Sequence, residues 1–316
     1  MGRHFLAPPR DEISLRQAIQ AEGVIPSLTA LKATQDKWGV DGASMALCLY
    51  LQQRHSSFIK AVNEEDATPC AGSAGATVIV VPGLYYKERP DLGGDGEVVL
   101  QAARACGFEA RRAPTNSLGS VQENARILSK DLEGCNEGPV IVASLSIGAL
   151  QVRHLLAELG PEEEPPFQGW LNLAGTPFGA HAIERMLNTQ TRRMAGRLLA
   201  RLQGLPFAAV EESMPSHSLW QHPFPDLKGL RAVTVLPIPM ESHVQKPLQS
   251  RFAELKANGP TDGMVLLAES IPPGDVYPLW GCDHLLRTSS AAEAIYRLLR
   301  WFRNELSVVG APPAIR

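Results

Sequence analysis

Residues 139–150, PVIVASLSIGAL, decide the fold. A continuous apolar run, typical of a strand buried on both faces of a parallel sheet, leads directly through Ser146 into a segment with helical spacing. In such a strand–turn–helix connection the serine is held in a strained backbone conformation, and the residues two before and two after it must be small. Gly148 meets that need, and Ser144 stands where the G-x-S-x-G pattern has its first glycine. Ser146 is therefore a candidate nucleophile, and the simpler alternative is a serine that only caps the helix.

Strand and helix patterns alternate on both sides of this turn. Besides 139–143, strands are predicted at Thr77–Val81, near 107–113, at 168–173 and at Leu230–Ile238. Helical spacing predicts intervening and final helices at 95–105, 121–132, 152–159 and 295–302. This alternation predicts an α/β fold with a mostly parallel sheet and helices on both faces.

Two segments fall outside the alternation. Residues 1–70 are helical in pattern, with apolar positions recurring around 14–22, 27–36 and 41–62. We expect this N-terminal extension to pack as an extra layer, to contribute to the entrance of the site or to bind a partner. Residues 179–229 separate two core strands by far more than a usual connection, which predicts a cap inserted into a domain spanning 76–316.

The predicted cap is locally basic. It carries five arginines and no acidic residue between positions 185 and 201, interleaved with leucine and methionine. These arginines are Arg185, Arg192, Arg193, Arg197 and Arg201. A solvated helix face over an apolar underside explains this pattern, and the sharper hypothesis is a cap that touches an anionic or interfacial substrate.

Composition excludes several classes of function. The 316 residues carry a net charge of −3, too balanced for a whole-molecule field that would attract nucleic acid. The five cysteines are widely spaced and form no metal-ligand pattern, which favours free thiols in a reducing compartment. There is no HExxH or GxGxxG motif, no apolar run of membrane-spanning length and no signal-peptide pattern. We therefore expect a cytoplasmic protein without metal or cofactor, and its oligomeric state stays open.

A second motif follows the strand at 168–173. Residues 171–179, LNLAGTPFG, precede the predicted cap. With the turn around Ser146, this segment resembles the α/β-hydrolase superfamily, and within it bacterial lipases and lipase-like serine esterases, which have a G-T-P-H-x-G-type segment there. The chain departs from that pattern at Phe178, where those lipases commonly have histidine. Residues 214–219, MPSHSL, resemble the segment that closes the cap in these lipases, and the whole resemblance covers about 76–305.

The resemblance implies a catalytic triad. In these lipases an aspartate in an N-D-G-x-V segment is the acid, and a histidine in an N-H-L or D-H-L segment is the base. The matching segments here are PTDGMV at 260–265 and WGCDHLL at 280–286, which implies Asp262 and His284. The order Ser146, Asp262, His284 is the α/β-hydrolase order.

Two other acids compete with Asp262 for that role. Asp283 is disfavoured because neighbouring side chains cannot easily form the required bond across the ring of His284. Asp275 lies at the start of a predicted strand. The other histidines have no acid pattern beside them, although His181 could line the mouth of the site.

A tight turn follows the first parallel strand. In folds of this type one backbone N–H at such a turn stabilises the oxyanion, and the second donor is the residue after the nucleophile. These donors would be Leu84 and Ile147, although a simple turn glycine explains Gly83 equally well. The residues expected to contact substrate are Gly83, Tyr85, Phe178 and His181.

These observations favour a cofactor-independent serine hydrolase of carboxylic esters. A long cap rich in leucine and methionine argues for an apolar acyl or polymeric ester, so the expected partners are small-molecule, lipid or polymeric esters. Acyl transfer by the same triad and a non-catalytic binding protein of the same fold are the alternatives.

Overall fold

The computed structural model describes residues 12–21, 31–135, 138–160, 162–202 and 206–309. The expectation that the N-terminus carries no signal peptide, and the start of the helix predicted at 27–36, concern residues outside these ranges.

In the described part of the chain, six strands form one parallel sheet in the order β2-β1-β3-β4-β5-β6. The strands are β1 (Thr77–Val81), β2 (Glu109–Arg112), β3 (Val140–Leu145), β4 (Gly169–Leu173), β5 (Arg231–Ile238) and β6 (Asp275–Trp280). β3 and β4 lie in the middle and are buried throughout, while the edge strand β2 is polar and partly exposed. The sheet confirms the predicted α/β fold.

Eleven α-helices are present among the described residues. They are α1 (Glu12–Ala21), α2 (Leu31–Arg54), α3 (Ser56–Glu64), α4 (Glu97–Ala105), α5 (Val121–Glu133), α6 (Gly148–Glu158), α7 (His181–Met186), α8 (Gln190–Leu202), α9 (Ala208–Glu212), α10 (Gln249–Leu255) and α11 (Ser289–Val309). α5 and α6 pack on one face of the sheet, and α3, α4 and α11 pack on the other. The helices on both faces confirm the predicted layers.

The N-terminal helices belong to the main fold. Met45 and Leu51 of α2 are buried in one cluster with Leu236 of β5 and Val276 of β6. This cluster lies on the face that α5 and α6 cover over the other strands, so α2 completes the helical layer. A left-handed residue, Gly39 (φ 72°), breaks α2 and separates the two helices that the sequence pattern predicts there.

The insertion between β4 and β5 contains α7, α8 and α9. Arg153 of α6 connects the two ends of this insertion: its buried guanidinium donates to Pro177 O (2.9 Å) before the insertion and to His222 O (3.0 Å) near its end. The rings of Phe178, Trp220 and Phe224 surround the same cation at 5.1–5.3 Å. Burial lowers the pKa of Arg153, and the carbonyl oxygens and ring faces offset the desolvation of its charge.

No helix within the described ranges is both long and apolar enough to cross a membrane.

Candidate active site

Ser146 lies in the turn between β3 and α6. Its φ angle of 50° is in the left-handed region that non-glycine residues rarely occupy. Gly148, two residues on, lies so close to β1 that an added Cβ would be 2.6 Å from Val81 O. The helix can therefore begin directly after the turn only because this position is glycine, which explains one of the two small residues of the motif.

Ser144, at the other small position, is fully buried and hydrogen-bonded. Its hydroxyl accepts from Trp170 Nε1 (2.9 Å) and donates to Asn172 Oδ1 (3.3 Å), both on the neighbouring strand β4. Asn172 Nδ2 in turn donates to Thr234 Oγ1 of β5 (3.2 Å). A serine replaces the usual glycine here because the adjoining strands supply partners for its hydroxyl group.

Ser146, His284 and Asp262 form a continuous hydrogen-bonded chain. Ser146 Oγ lies 2.9 Å from His284 Nε2, and His284 Nδ1 lies 2.8 Å from Asp262 Oδ2. The other oxygen, Asp262 Oδ1, accepts from the N–H groups of Met264 (2.8 Å) and Val265 (2.9 Å). Asp262 and His284 are buried and Ser146 is partly exposed, so the chain runs from a fixed carboxylate to an accessible hydroxyl.

The two competing acids have other partners. Asp283 accepts from the backbone N–H of Gln245 (2.7 Å) and from its side-chain Nε2 (3.0 Å), which ties the histidine loop to the segment before α10. Asp275 lies at the first residue of β6, where its Oδ1 is 3.4 Å from His55 Nδ1. The geometry therefore favours Asp262 as the partner of His284.

The turn after β1 lies against the serine. Gly83 N donates to Gly94 O (2.8 Å), and a Cβ added to Gly83 would lie 3.5 Å from Ser146 Cβ. Within the described residues, no acceptor engages the N–H of Leu84 or of Ile147. Ile147 also precedes the first turn of α6, where the helix dipole favours negative charge. Both N–H groups suit an oxyanion.

Ser146 and His284 open onto a cavity of about 330 Å³. Large apolar side chains form most of its wall. They are Leu84, Leu92, Leu145, Ile147, Leu173, Ile183, Met186, Val210, Leu248, Met264, Leu285 and Leu286. α7 and α9 of the insertion contribute three of them, so the insertion covers the site with apolar surface.

The four residues expected to contact substrate separate into two pairs. Gly83 and Tyr85 line the cavity. Phe178 lies elsewhere, with its ring on Arg153 and Phe224, and His181 Nε2 is 3.2 Å from Glu269 Oε2. Neither of the latter two is among the cavity residues that the described part of the chain supplies. Phe178 instead takes part in the aromatic surroundings of Arg153.

Strained backbone is concentrated around the cavity. Tyr85, Ser146 and Leu286 line it and have φ angles of 61°, 50° and 53°. Ala174, which directly follows β4, is also left-handed at 45°. Such conformations persist only where the surrounding structure holds them, and they are typical of functional sites.

Several cavity residues carry no sequence motif. They include the loop 92–94, which faces the turn after β1, and Leu248, Arg251 and Met264. Only Met264 could have been suspected from the sequence, because it follows Asp262 by two residues. The others are brought to the cavity by tertiary packing alone. Within the described residues, no group of three or more histidine, cysteine or acidic side chains could hold a metal ion.

Comparison with solved structures identifies the fold. The metagenomic carboxyl esterase MGS0156 superposes with a TM-score of 0.58 at 16% identity, covering 82% of this chain and 89% of that one. The chain has the α/β-hydrolase fold. Mature Bacillus licheniformis lipase BlEst2 (TM-score 0.48, 17% identity, 72% and 89% coverage) and mouse α/β hydrolase domain-containing protein 10 (0.46, 14%, 74% and 90%) superpose less well. No family model and no curated protein sequence matches this chain.

Replacing Ser144 with the glycine of the usual motif should destabilise the folded protein. Ser144→Gly leaves Trp170 Nε1 without its acceptor in a buried position, so we expect a loss of about 1–3 kcal/mol in the free energy of unfolding, measured with urea. In Trp170→Phe, which already lacks the donor, the same change should cost less. A Ser144→Gly variant as stable as the parent would contradict this account of the motif.

Proposed function

We propose that this protein is a serine hydrolase of carboxylic esters that works through an acyl-enzyme. The observation that carries the proposal is the unbroken chain of hydrogen bonds from Ser146 through His284 to Asp262 beside an apolar cavity. A serine hydroxyl is too weak an acid to attack an ester unaided, and an imidazole at 2.9 Å is placed to take its proton.

Each residue has a defined part in the proposed reaction. Ser146 Oγ attacks the ester carbonyl carbon while His284 Nε2 takes the hydroxyl proton, and the N–H groups of Leu84 and Ile147 stabilise the resulting oxyanion. His284 then gives the proton to the leaving alcohol as the C–O bond breaks. Water, deprotonated by His284, releases the acid from Ser146. Asp262 holds the imidazole with its proton on Nδ1 and stabilises the imidazolium.

The triad is tested by active-site labelling and kinetics. We expect a fluorophosphonate probe to label the parent protein and not Ser146→Ala, because the probe reacts with an activated serine. Asp262→Asn should lower kcat by about 10⁴-fold, since the imidazole is then held in the wrong tautomer. Asp275→Asn, at the amino end of β6 and thus at the opposite end of that strand from His284, is the control and should change kcat less than about twofold. A folded parent protein that takes up no probe would be a binding protein, and the proposal would be lost.

The apolar wall supports an ester with a long acyl chain. Each methylene transferred from water into such a cavity contributes about 0.8 kcal/mol, or about fourfold in binding when it is fully buried. We therefore expect kcat/KM for p-nitrophenyl esters to rise severalfold from acetyl to octanoyl. Ile183→Ser, in the wall supplied by α7, should reduce the octanoyl rate more than the acetyl rate. Activity that peaks at acetyl and collapses by octanoyl would contradict an apolar substrate.

We also propose that α8 contacts an anionic interface, such as a lipid surface. No residue of α8 is buried, and Met194, Leu198, Leu199 and Leu202 are 56–76% exposed. Its arginines lie among these side chains. Arg197 pairs with Glu211, whereas Arg192, Arg193 and Arg201 have no carboxylate partner among the described residues. An anionic interface offers both the counter-charge and the apolar layer that this helix lacks.

Vesicle sedimentation tests this contact. We expect binding to vesicles of phosphatidylglycerol, weaker binding to phosphatidylcholine, and loss of the difference in Arg192→Gln/Arg201→Gln. Leu198→Ser/Leu202→Ser should weaken binding to both kinds of vesicle. Val98→Ser, which removes an exposed apolar side chain on α4, is the control and should bind like the parent. Equal retention of all four proteins on both vesicles, or no retention at all, would exclude a role for α8 at an interface.

A further inference from the structure

One cation faces the apolar cavity. Among the described residues that line it, Arg251 is the only one with a permanently charged side chain, and it lies on α10. Its Nη1 lies 3.6 Å from the sulfur of Met264, and no carboxylate in the described part of the chain lies within 4.0 Å of the guanidinium. The guanidinium is therefore a cation without a counter-charge at the edge of an apolar space.

Arg251 lines the same cavity as Ser146 and His284. Leu248 precedes it by one helical turn, and Met264 follows the triad acid by two residues. Both line the same cavity as Ser146 and His284. A molecule that fills this space thus meets the nucleophile at one place, apolar side chains along its length, and the guanidinium at another place.

Solvation alone is the simpler explanation for Arg251. Long basic side chains often lay an apolar stem over hydrophobic surface and keep the charged end in water. Other exposed cations among the described residues, such as Arg126 and Lys246, also lack an ion pair, but they do not line the cavity, whereas Arg251 does. Glu254, one turn further along α10, is exposed and forms no ion pair with Arg251 within the described residues. The charge of Arg251 remains available to a ligand.

We propose that Arg251 selects esters that carry an anionic oxygen group, of the carboxylate kind, separated from the ester bond by an apolar chain. A guanidinium presents parallel N–H donors that match the two oxygens of a carboxylate. The apolar wall on one side of it strengthens the attraction relative to open water, and its exposed side leaves the pair open to screening by salt. This inference rests on the proposed ester hydrolysis and specifies the substrate: an apolar chain held by the cavity wall, with one negative charge at the end away from Ser146.

Matched substrate pairs test the assignment. The acyl-side pairs are p-nitrophenyl half-esters of adipate, suberate and sebacate beside the neutral p-nitrophenyl esters of equal chain length. The alcohol-side pair is the hexanoate esters of 4-hydroxybenzoate and of 4-hydroxybenzamide. The measured quantity is the ratio of kcat/KM for the anionic ester to that for its neutral partner, so that differences in intrinsic reactivity cancel between variants.

We expect Arg251→Gln to lower this ratio by about five- to tenfold in at least one pair, and Arg251→Lys to keep most of it. The pair that responds shows whether the charge is carried by the acyl or the alcohol part. Because an exposed ion pair is screened by ions, the parent ratio should fall between about 0.05 and 0.5 M NaCl, and the Arg251→Gln ratio should not. Arg126→Gln, which removes an exposed charge from α5, is the control for net charge and should keep the parent ratio.

The outcomes separate the two proposals. If the parent hydrolyses the neutral esters and Arg251→Gln leaves every ratio unchanged, ester hydrolysis stands and Arg251 is a solvated side chain. If the ratio falls equally in Arg126→Gln, the effect is one of overall charge and the assignment to Arg251 is wrong. If the parent hydrolyses none of the esters, the proposed function fails and this inference fails with it.

Discussion

The close approach of α6 to β1 is the constraint on which the site depends. Gly148 lies against Val81 O with no room for a side chain, so the helix starts immediately after the turn and Ser146 is forced into a left-handed conformation. The same contact brings the turn at Gly83 beside the serine. The Ser146 hydroxyl and the N–H groups proposed to bind an oxyanion are therefore positioned by one packing contact between backbones, which does not depend on side-chain rotamers.

The rest of the site is anchored separately and meets Ser146 at the carboxyl ends of the strands. Two backbone N–H groups hold Asp262, and Asp283 fixes the histidine loop through Gln245. These hydrogen bonds fix the carboxylates of Asp262 and Asp283, so the proposed proton transfer would need little reorganisation. The buried hydrogen bonds of Ser144 with Trp170 and Asn172 hold β3, the strand that leads into Ser146, against β4.

The sequence predicted what depends on local pattern. A continuous apolar run is sufficient to predict a buried parallel strand such as β3, and the small residues around Ser146 are sufficient to predict the turn. The placement of α2 over β5 and β6 was one of three options for residues 1–70, because an amphipathic helix does not specify which surface it covers. Phe178 was expected to contact substrate, but its ring packs on Arg153. The direction of a side chain after a strand depends on neighbours that are distant in sequence.

The helices of the insertion differ in burial and in their relation to the cavity. α7 and α9 supply Ile183, Met186 and Val210 to the cavity wall, whereas no residue of α8 lines the cavity or is buried. Packing therefore constrains the side chains of α7 and α9, whereas the surface residues of α8 can vary without disturbing Ser146. Arg153 of α6 bonds to the backbone near both ends of the insertion. The cavity wall therefore keeps its position relative to Ser146, whichever surface α8 contacts. The surface of α8 can thus change without altering the cavity wall beside Ser146.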